Sequence, residues 1–306
     1  MKNHTSLALI VLASLALDAG ATSVSYNTGS LGAAGNGTNT DTVVLDQPGA
    51  LAAGGDFSTG YIGALGCTTV PFLTPLNPAT SQPFTIEFWA KPNTTTNDDV
   101  PVNNRVGGSG NRSGWVFFQR AAGWNFRMYS GAGTAAGPDP VGGTSTLGVW
   151  SHVVATWDGT TARLYVNGTF ATSATGTYAA SSAAVFSVGA LADGASDFNG
   201  LVDEIAFYPT ALSDAKILAH YNTASSPVSG AYSSLVLSDG ALEYLQQNPP
   251  FVKIAMSGVN QVVTFTGILS KSTDLTPASW EDLAVTSPYT VTPTAETPKL
   301  FFRAHR

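Results

Sequence analysis

Residues 198–221 constrain the fold more than any other stretch of the chain. Residues 201–208 are rich in β-branched and aromatic side chains and lie between Gly200 and Pro209, which predicts a strand. Pro209 lacks an N–H and cannot extend a paired central strand. Ser213 is a good N-cap, and Asp214 then sits in the first turn, at the positive end of a helix dipole. Leu212 and Ile217 occupy the two positions of a hydrophobic staple. The polar run through Asn222, Thr223, Ser225 and Ser226 to Pro227 keeps that helix short. Nearly everything before it reads as strands, so the expectation is one short helix closing an all-β domain.

The strands announce themselves by alternation and by turn residues. Phe84, Ile86 and Phe88 share one face of a predicted strand, with Thr85 and Glu87 on the other. Residues 115–119 and 124–129 read as a hairpin turning at Ala121-Ala122-Gly123. Trp124, Phe126 and Met128 form its inner row; Asn125, Arg127 and Tyr129 form its outer row. Asn167-Gly168 fits a type I′ turn, whose two central positions need positive φ. Many short strands at fairly regular spacing predict an antiparallel β-sandwich, a jelly roll. The pattern changes after Pro227. Residues 227–250 read as a connector, broken at Asn248-Pro249-Pro250. Residues 251–306 read as a small second β domain, short for an independent core.

Charge and composition narrow the function. Only 11% of the residues are charged and the net charge is −7. No Lys/Arg cluster exists, which argues against a nucleic-acid or anionic-membrane partner. The single cysteine, Cys67, excludes an intramolecular disulfide and a cysteine-based zinc site. Lys2, the apolar run 7–17 and Ala19-Gly20-Ala21 predict a signal peptide over 1–21, with the mature chain beginning near Thr22 and an uncleaved anchor as the alternative. No later apolar run reaches membrane length, so the expected product is exported, extracellular, cell-surface or periplasmic, with no transmembrane segment.

Four motifs carry a family resemblance: residues 84–92, 149–159, 164–168 and 198–208, in that order. Together they resemble the bacterial laminin-G-like, concanavalin A-like jelly-roll family, over roughly residues 24–225. The resemblance implies two antiparallel sheets packed face to face, over a jelly roll spanning residues 22–226. It implies binding, often of a polysaccharide or other glycan, and often one structural calcium ion. The alternative partner is another surface protein, in a structural or adhesive role.

Chemistry is harder to find. Retaining glycoside hydrolysis needs two carboxyl groups about 5–5.5 Å apart. The five glutamates are Glu87, Glu204, Glu243, Glu281 and Glu296, and none has another carboxylate two or four residues along a strand. Asp203 and Glu204 are adjacent, and adjacent strand residues point to opposite faces. The chain is therefore expected not to be an enzyme; two carboxylates from different strands could still meet, and a glycoside hydrolase with an unrecognised site is the further alternative. His152 and His220 form no spaced metal pair and read as ordinary strand and helix residues. Asp203, on the face of Ile205 and Phe207, is expected inward, where a carboxylate needs hydrogen-bond donors or a cation. It is the first candidate calcium ligand and Glu87 the second, with capping of a loop N–H as the alternative role for Asp203. The outer row Asn125, Arg127 and Tyr129 is the candidate ligand site, because sugars stack on aromatic rings and their hydroxyls seek planar polar groups. A plain solvated sheet face is its alternative.

Overall fold

Alternating apolar residues on successive strands force two faces to close on one another, and the computed structural model shows how they do so. It describes residues 23–246, apart from 54–55, 63–64, 95–97, 107–109, 135 and 193–194. It further describes 252–257, 260–265, 268–272, 280–283, 285, 289–291 and 300–305. The expected signal segment 1–21 and the Asn248-Pro249-Pro250 break lie outside the described residues. The chain divides into two units at 247/248.

The larger unit is the expected jelly roll. One sheet runs in the order Thr169–Thr175, Thr161–Val166, Ser151–Trp157, Phe84–Pro92, Gly200–Tyr208, Glu243–Gln246. The other contains Val141–Gly142, Gly123–Met128, Trp115–Arg120, Val102–Asn103, Phe186–Val188, Thr68–Val70 and Gly37–Asn39. Val24–Asn27 pairs with both Gly37–Asn39 and Glu243–Gln246, so it joins the two sheets at one side. All these pairings are antiparallel. The inner rows Phe84, Ile86, Phe88 and Trp124, Phe126, Met128 meet in one core with Trp115, Phe117, Ile205 and Phe207. The Asn167-Gly168 turn has φ of 52° and 72°, as a type I′ turn demands.

A second core lies on the far side of the first sheet. Helix α1, Asp214–Thr223, begins after Ser213, which holds the N-cap position without a side-chain capping bond. Leu212 and Ile217 are both buried in this second core, with Trp89, Val154, Tyr208 and Tyr244. A second helix, α2, Ala231–Ser238, completes the cap, with Tyr232 and Val236 buried. The expectation of a single helix is thus corrected. So is the reading of 227–250 as a connector. Strand Glu243–Gln246 pairs with Gly200–Tyr208 on one side and Val24–Asn27 on the other, so this segment is part of the jelly roll. Its apolar residues Tyr232, Val236, Ala241, Tyr244 and Leu245 are what seat it. Among the described residues no helix is long and apolar enough to cross a membrane.

The C-terminal unit contains two three-stranded sheets. The first joins Val252–Ser257, Asn260–Phe265 and Tyr289–Val291. The second joins Ile268–Ser272, Glu281–Leu283 and Phe301–His305. Val263, Leu269, Val291 and Phe302 form a small buried core.

Candidate functional site

Two carboxylate clusters lie on the outer face of the first sheet, beneath the helical cap. The first is built on Glu87. Parity sends Glu87 away from the inner core, and α1 and α2 then bury it completely. Its Oε2 accepts from His220 Nδ1 at 2.8 Å, and its Oε1 accepts from the Tyr232 hydroxyl at 3.0 Å. His220 also donates from Nε2 to Asp239 Oδ2 at 3.0 Å, and Lys216 Nζ lies 2.7 Å from Asp239 Oδ1. Trp89 Nε1 donates to the Tyr232 oxygen at 3.1 Å. Burial opposes charge on Glu87, but the bond and charge of His220 outweigh it and hold the carboxyl below its ordinary range. Burial likewise opposes charge on His220, and Glu87 and Asp239 together raise its pKa. The cluster is an imidazolium between two carboxylates.

The second cluster corrects the parity argument. Opposite Phe84–Pro92, Asp203 pairs with Trp89 and Ala206 with Glu87. Two residues, Glu204 and Ile205, therefore stand opposite the one residue Phe88, which is a β-bulge. Glu204 takes the extra position with φ of 51°, in the left-handed region. Past the bulge the alternation is reset. Ile205 and Phe207 point into the inner core, but Asp203 faces the opposite side, toward the cap. Asp203 and Glu204 are consequently not split between two faces. They are buried together, at 1% and 2% exposure, and one carboxylate oxygen from each of Asp56, Asp203 and Glu204 lies within 4.8 Å of the others. Backbone Ala50 donates to Asp203 Oδ2 at 2.9 Å, and backbone Leu51 donates to Asp56 Oδ2 at 2.7 Å. The Tyr244 hydroxyl donates to Glu204 Oε2. Burial, with Glu204 and Asp56 beside it, pushes the Asp203 carboxyl well above its ordinary value.

The donor set decides which of the two clusters fits calcium. Calcium prefers several oxygen ligands, carboxylates above all. Asp203 fits, in company with Asp56 and Glu204, and it also accepts a loop N–H. Glu87 does not fit and is withdrawn as a ligand: both its oxygens are committed to His220 and Tyr232, and its cluster already holds a cation. Asp56 and Glu204 were missed from sequence, Asp56 because it is distant and Glu204 because a bulge leaves no mark in the alternation. His220 was missed as the partner of Glu87, and His152 as its neighbour, with Nε2 3.9 Å from Glu87 Oε2. The nearest signal was two histidines on elements that a sandwich with a helical cap brings together.

The expected ligand row lies on the outer face of the other sheet, but it is not open. Val100, Val116, Phe118, Tyr129 and Leu191 form a small core there, which buries Tyr129 at 1% exposure. Asn125 is fully buried and donates from Nδ2 to Asp139 Oδ1 at 2.7 Å. Tyr129 cannot stack on a sugar and Asn125 cannot reach its hydroxyls, which corrects their expected role. The loops that follow the hairpin, and the segment around Val100, cover what alternation alone had left facing solvent. Arg127 remains at the surface, its side chain 25% exposed, held by Asp139 through Nε at 3.0 Å and Nη2 at 2.7 Å. Arg120, its side chain 24% exposed, is paired with Asp98 at 3.0 Å. Both guanidiniums lie over Phe118, at 4.6 Å for Arg120 and 5.5 Å for Arg127.

Comparison with known proteins places the fold. No curated protein matches the sequence. The binding domain of botulinum neurotoxin serotype G is similar in structure, with a TM-score of 0.50 and 12% identity. The alignment covers 86% of this chain and 64% of the neurotoxin chain. Domain 4 of an extracellular arabinanase from Geobacillus stearothermophilus, solved with arabinotriose, aligns at a TM-score of 0.43 and 16% identity over 65% of this chain and 98% of that one. The family model described as the concanavalin A-like lectin/glucanases superfamily matches residues 68–218. The matched stretch runs from strand Thr68–Val70 into helix α1 and so lies within the jelly roll, which is similar to that superfamily.

Proposed function

We propose that this chain is an exported, non-catalytic recognition protein whose jelly roll binds carbohydrate. The observation that carries the reading is the pair of planar polar forks on the outer face of the hairpin, Arg127–Asp139 and Arg120–Asp98, flanking Phe118. Two bonds to Asp139 hold the Arg127 guanidinium in one orientation, and Arg120 adds a single contact to Asp98 beside it. Preorganised planar donors and acceptors are what sugar hydroxyls require, and little ordering entropy remains to be lost on binding. The lectin/glucanase family supports the same reading. Burial of Asp203 and Glu204 supports the absence of catalysis, because a sugar cannot reach carboxyl groups that solvent does not. A glycan array or polysaccharide pull-down with the exported chain tests the site. Binding should drop at least tenfold in Arg127→Ala and in Asp139→Ala; binding unchanged in both refutes this surface.

We further propose that Asp56, Asp203 and Glu204 hold a calcium ion that serves structure alone. Calcium would supply positive charge to three adjoining buried carboxylates. The supporting observation is that contrast with the Glu87 cluster, which carries its own cation. The thermal midpoint should rise with added calcium in the wild type and not in Asp203→Ala. A wild type whose midpoint ignores calcium ends the proposal.

A further inference from the structure

His152 makes none of the hydrogen bonds that tie the Glu87 cluster together. It sits at the centre of strand Ser151–Trp157, fully buried, and neither ring nitrogen has a hydrogen-bond partner. Its ring lies 5.0 Å from Trp89 and 6.2 Å from Tyr221 of α1. Its Nε2 is 3.9 Å from Glu87 Oε2, the oxygen that already receives the His220 bond. A buried imidazole without partners is stable only when neutral. Once protonated it needs an acceptor, and the carboxylate oxygen within reach is the one that holds α1 to the sheet.

We propose that the Glu87–His220–Asp239 chain is a latch holding the helical cap on the sheet, and that proton uptake by His152 opens it in mild acid. With one imidazolium in the pocket, Glu87 ties strand Phe84–Pro92 to α1 through His220 and to α2 through Tyr232. With a second, two cations compete for one oxygen inside a space that solvent does not screen. The groups facing Glu87 come from every element packed on it. They are His152 from its neighbouring strand, Tyr208 from the strand on its other side, His220 and Lys216 from α1, Tyr232 from α2, and Asp239 just beyond α2. Lys216 is itself a cation, and Asp239 is already engaged by Lys216 and His220, so neither neutralises a charge placed on His152.

The direction of the effect follows from the folded-state shifts. Burial lowers the His152 pKa from 6.5 to about 4, so the unfolded pocket binds the proton first. Cap stability therefore falls as pH drops from 6.5 toward 4. Glu87, held below 4.5, loses its contribution lower still. The device is local because its residues belong to one seam: α1 and α2 rest on this face, while the inner core lies on the other.

Hydrogen exchange on the whole exported chain tests it. After correction for intrinsic rates, amides of 214–238 should lose at least tenfold more protection than those of 84–90 and 151–157 between pH 7 and pH 4.5. His152→Phe, which keeps the ring against Trp89, should retain cap protection at pH 4.5. Equal loss in cap and sheet, no loss in either, or an unchanged acid response in His152→Phe overturns the latch. Should that variant fail to fold, the imidazole titration of wild-type His152 by NMR decides. Its resonances should move near pH 4 together with α1 amides; titration near the ordinary value, or without the α1 shift, overturns the proposal.

Discussion

The Glu87 cluster and the Asp203 cluster lie on the same face of the same sheet, on adjacent strands, and both are buried. They differ in what compensates them. Glu87 has an imidazolium and a phenol at hydrogen-bond distance, and its charge is favoured. Asp203 has two more carboxylates and a loop N–H, and its charge is opposed. Burial alone therefore says little about a carboxylate. The sign of its shift follows from the charges within reach, because in a poorly screened interior those charges outweigh desolvation or add to it.

The sharpest way to break this contrast is to remove one partner from the compensated cluster. Glu87→Ala leaves His220 between Asp239 and an empty face, and the loss should reach about 3–5 kcal/mol, as when a buried pair is broken. Urea unfolding of wild type and variant measures it; a loss under about 1 kcal/mol would mean His220 is not charged there. Next comes the cation. If calcium completes the second cluster, saturation at a hundred times its Kd adds about 2.7 kcal/mol, all of it absent in Asp203→Ala. Calorimetric scans with calcium and with chelator read this difference.

A smaller effect carries the opposite sign. In chelator, Asp203→Asn should raise stability by about 1 kcal/mol, the scale of one pKa unit, because it removes a like charge. The same exchange at Glu87, to Gln, should lower it. Matching signs for the two variants would collapse the comparison. The pH slopes separate the clusters as well. Glu87, with its pKa lowered, contributes above 4.5 and loses that contribution as pH falls through its folded pKa. His220, with its pKa raised, contributes fully below 6.5 and loses it as pH rises through its folded pKa. Asp203, raised well above 3.8, favours the folded state while protonated, so metal-free stability declines as pH climbs above 3.8. Chelator should steepen that decline in the wild type and leave Asp203→Asn flat by comparison.

Much of the fold was legible because it follows from local rules. The alternation of Phe84, Ile86 and Phe88, the Trp124–Phe126–Met128 row and the Asn167-Gly168 turn each predicted its place correctly. Leu212 and Ile217 were legible as partners at a helix start. The site was less so. The outer row Asn125, Arg127 and Tyr129 was read with the right face and the wrong exposure, since nothing in the hairpin reveals that Val100 and Leu191 will settle over it. Residues 231–246 read as a connector because eight helical residues and a four-residue strand carry too few periods to stand out.

By itself, the sequence determined the main strands around Phe84–Pro92 and the Trp115–Met128 hairpin, the inner rows of those strands, the closing helix and hence the jelly roll. These depend on side-chain period and turn chemistry, which are properties of neighbours along the chain. Only the tertiary structure decided the fate of the carboxylates. One extra residue at Glu204 reset the parity of its strand, turned Asp203 toward the cap and set it beside Asp56 from far away in the chain. Glu87 acquired its cation from α1, 133 residues distant. A charge in the interior is governed by what lies within a few ångströms, and sequence distance does not enter that law.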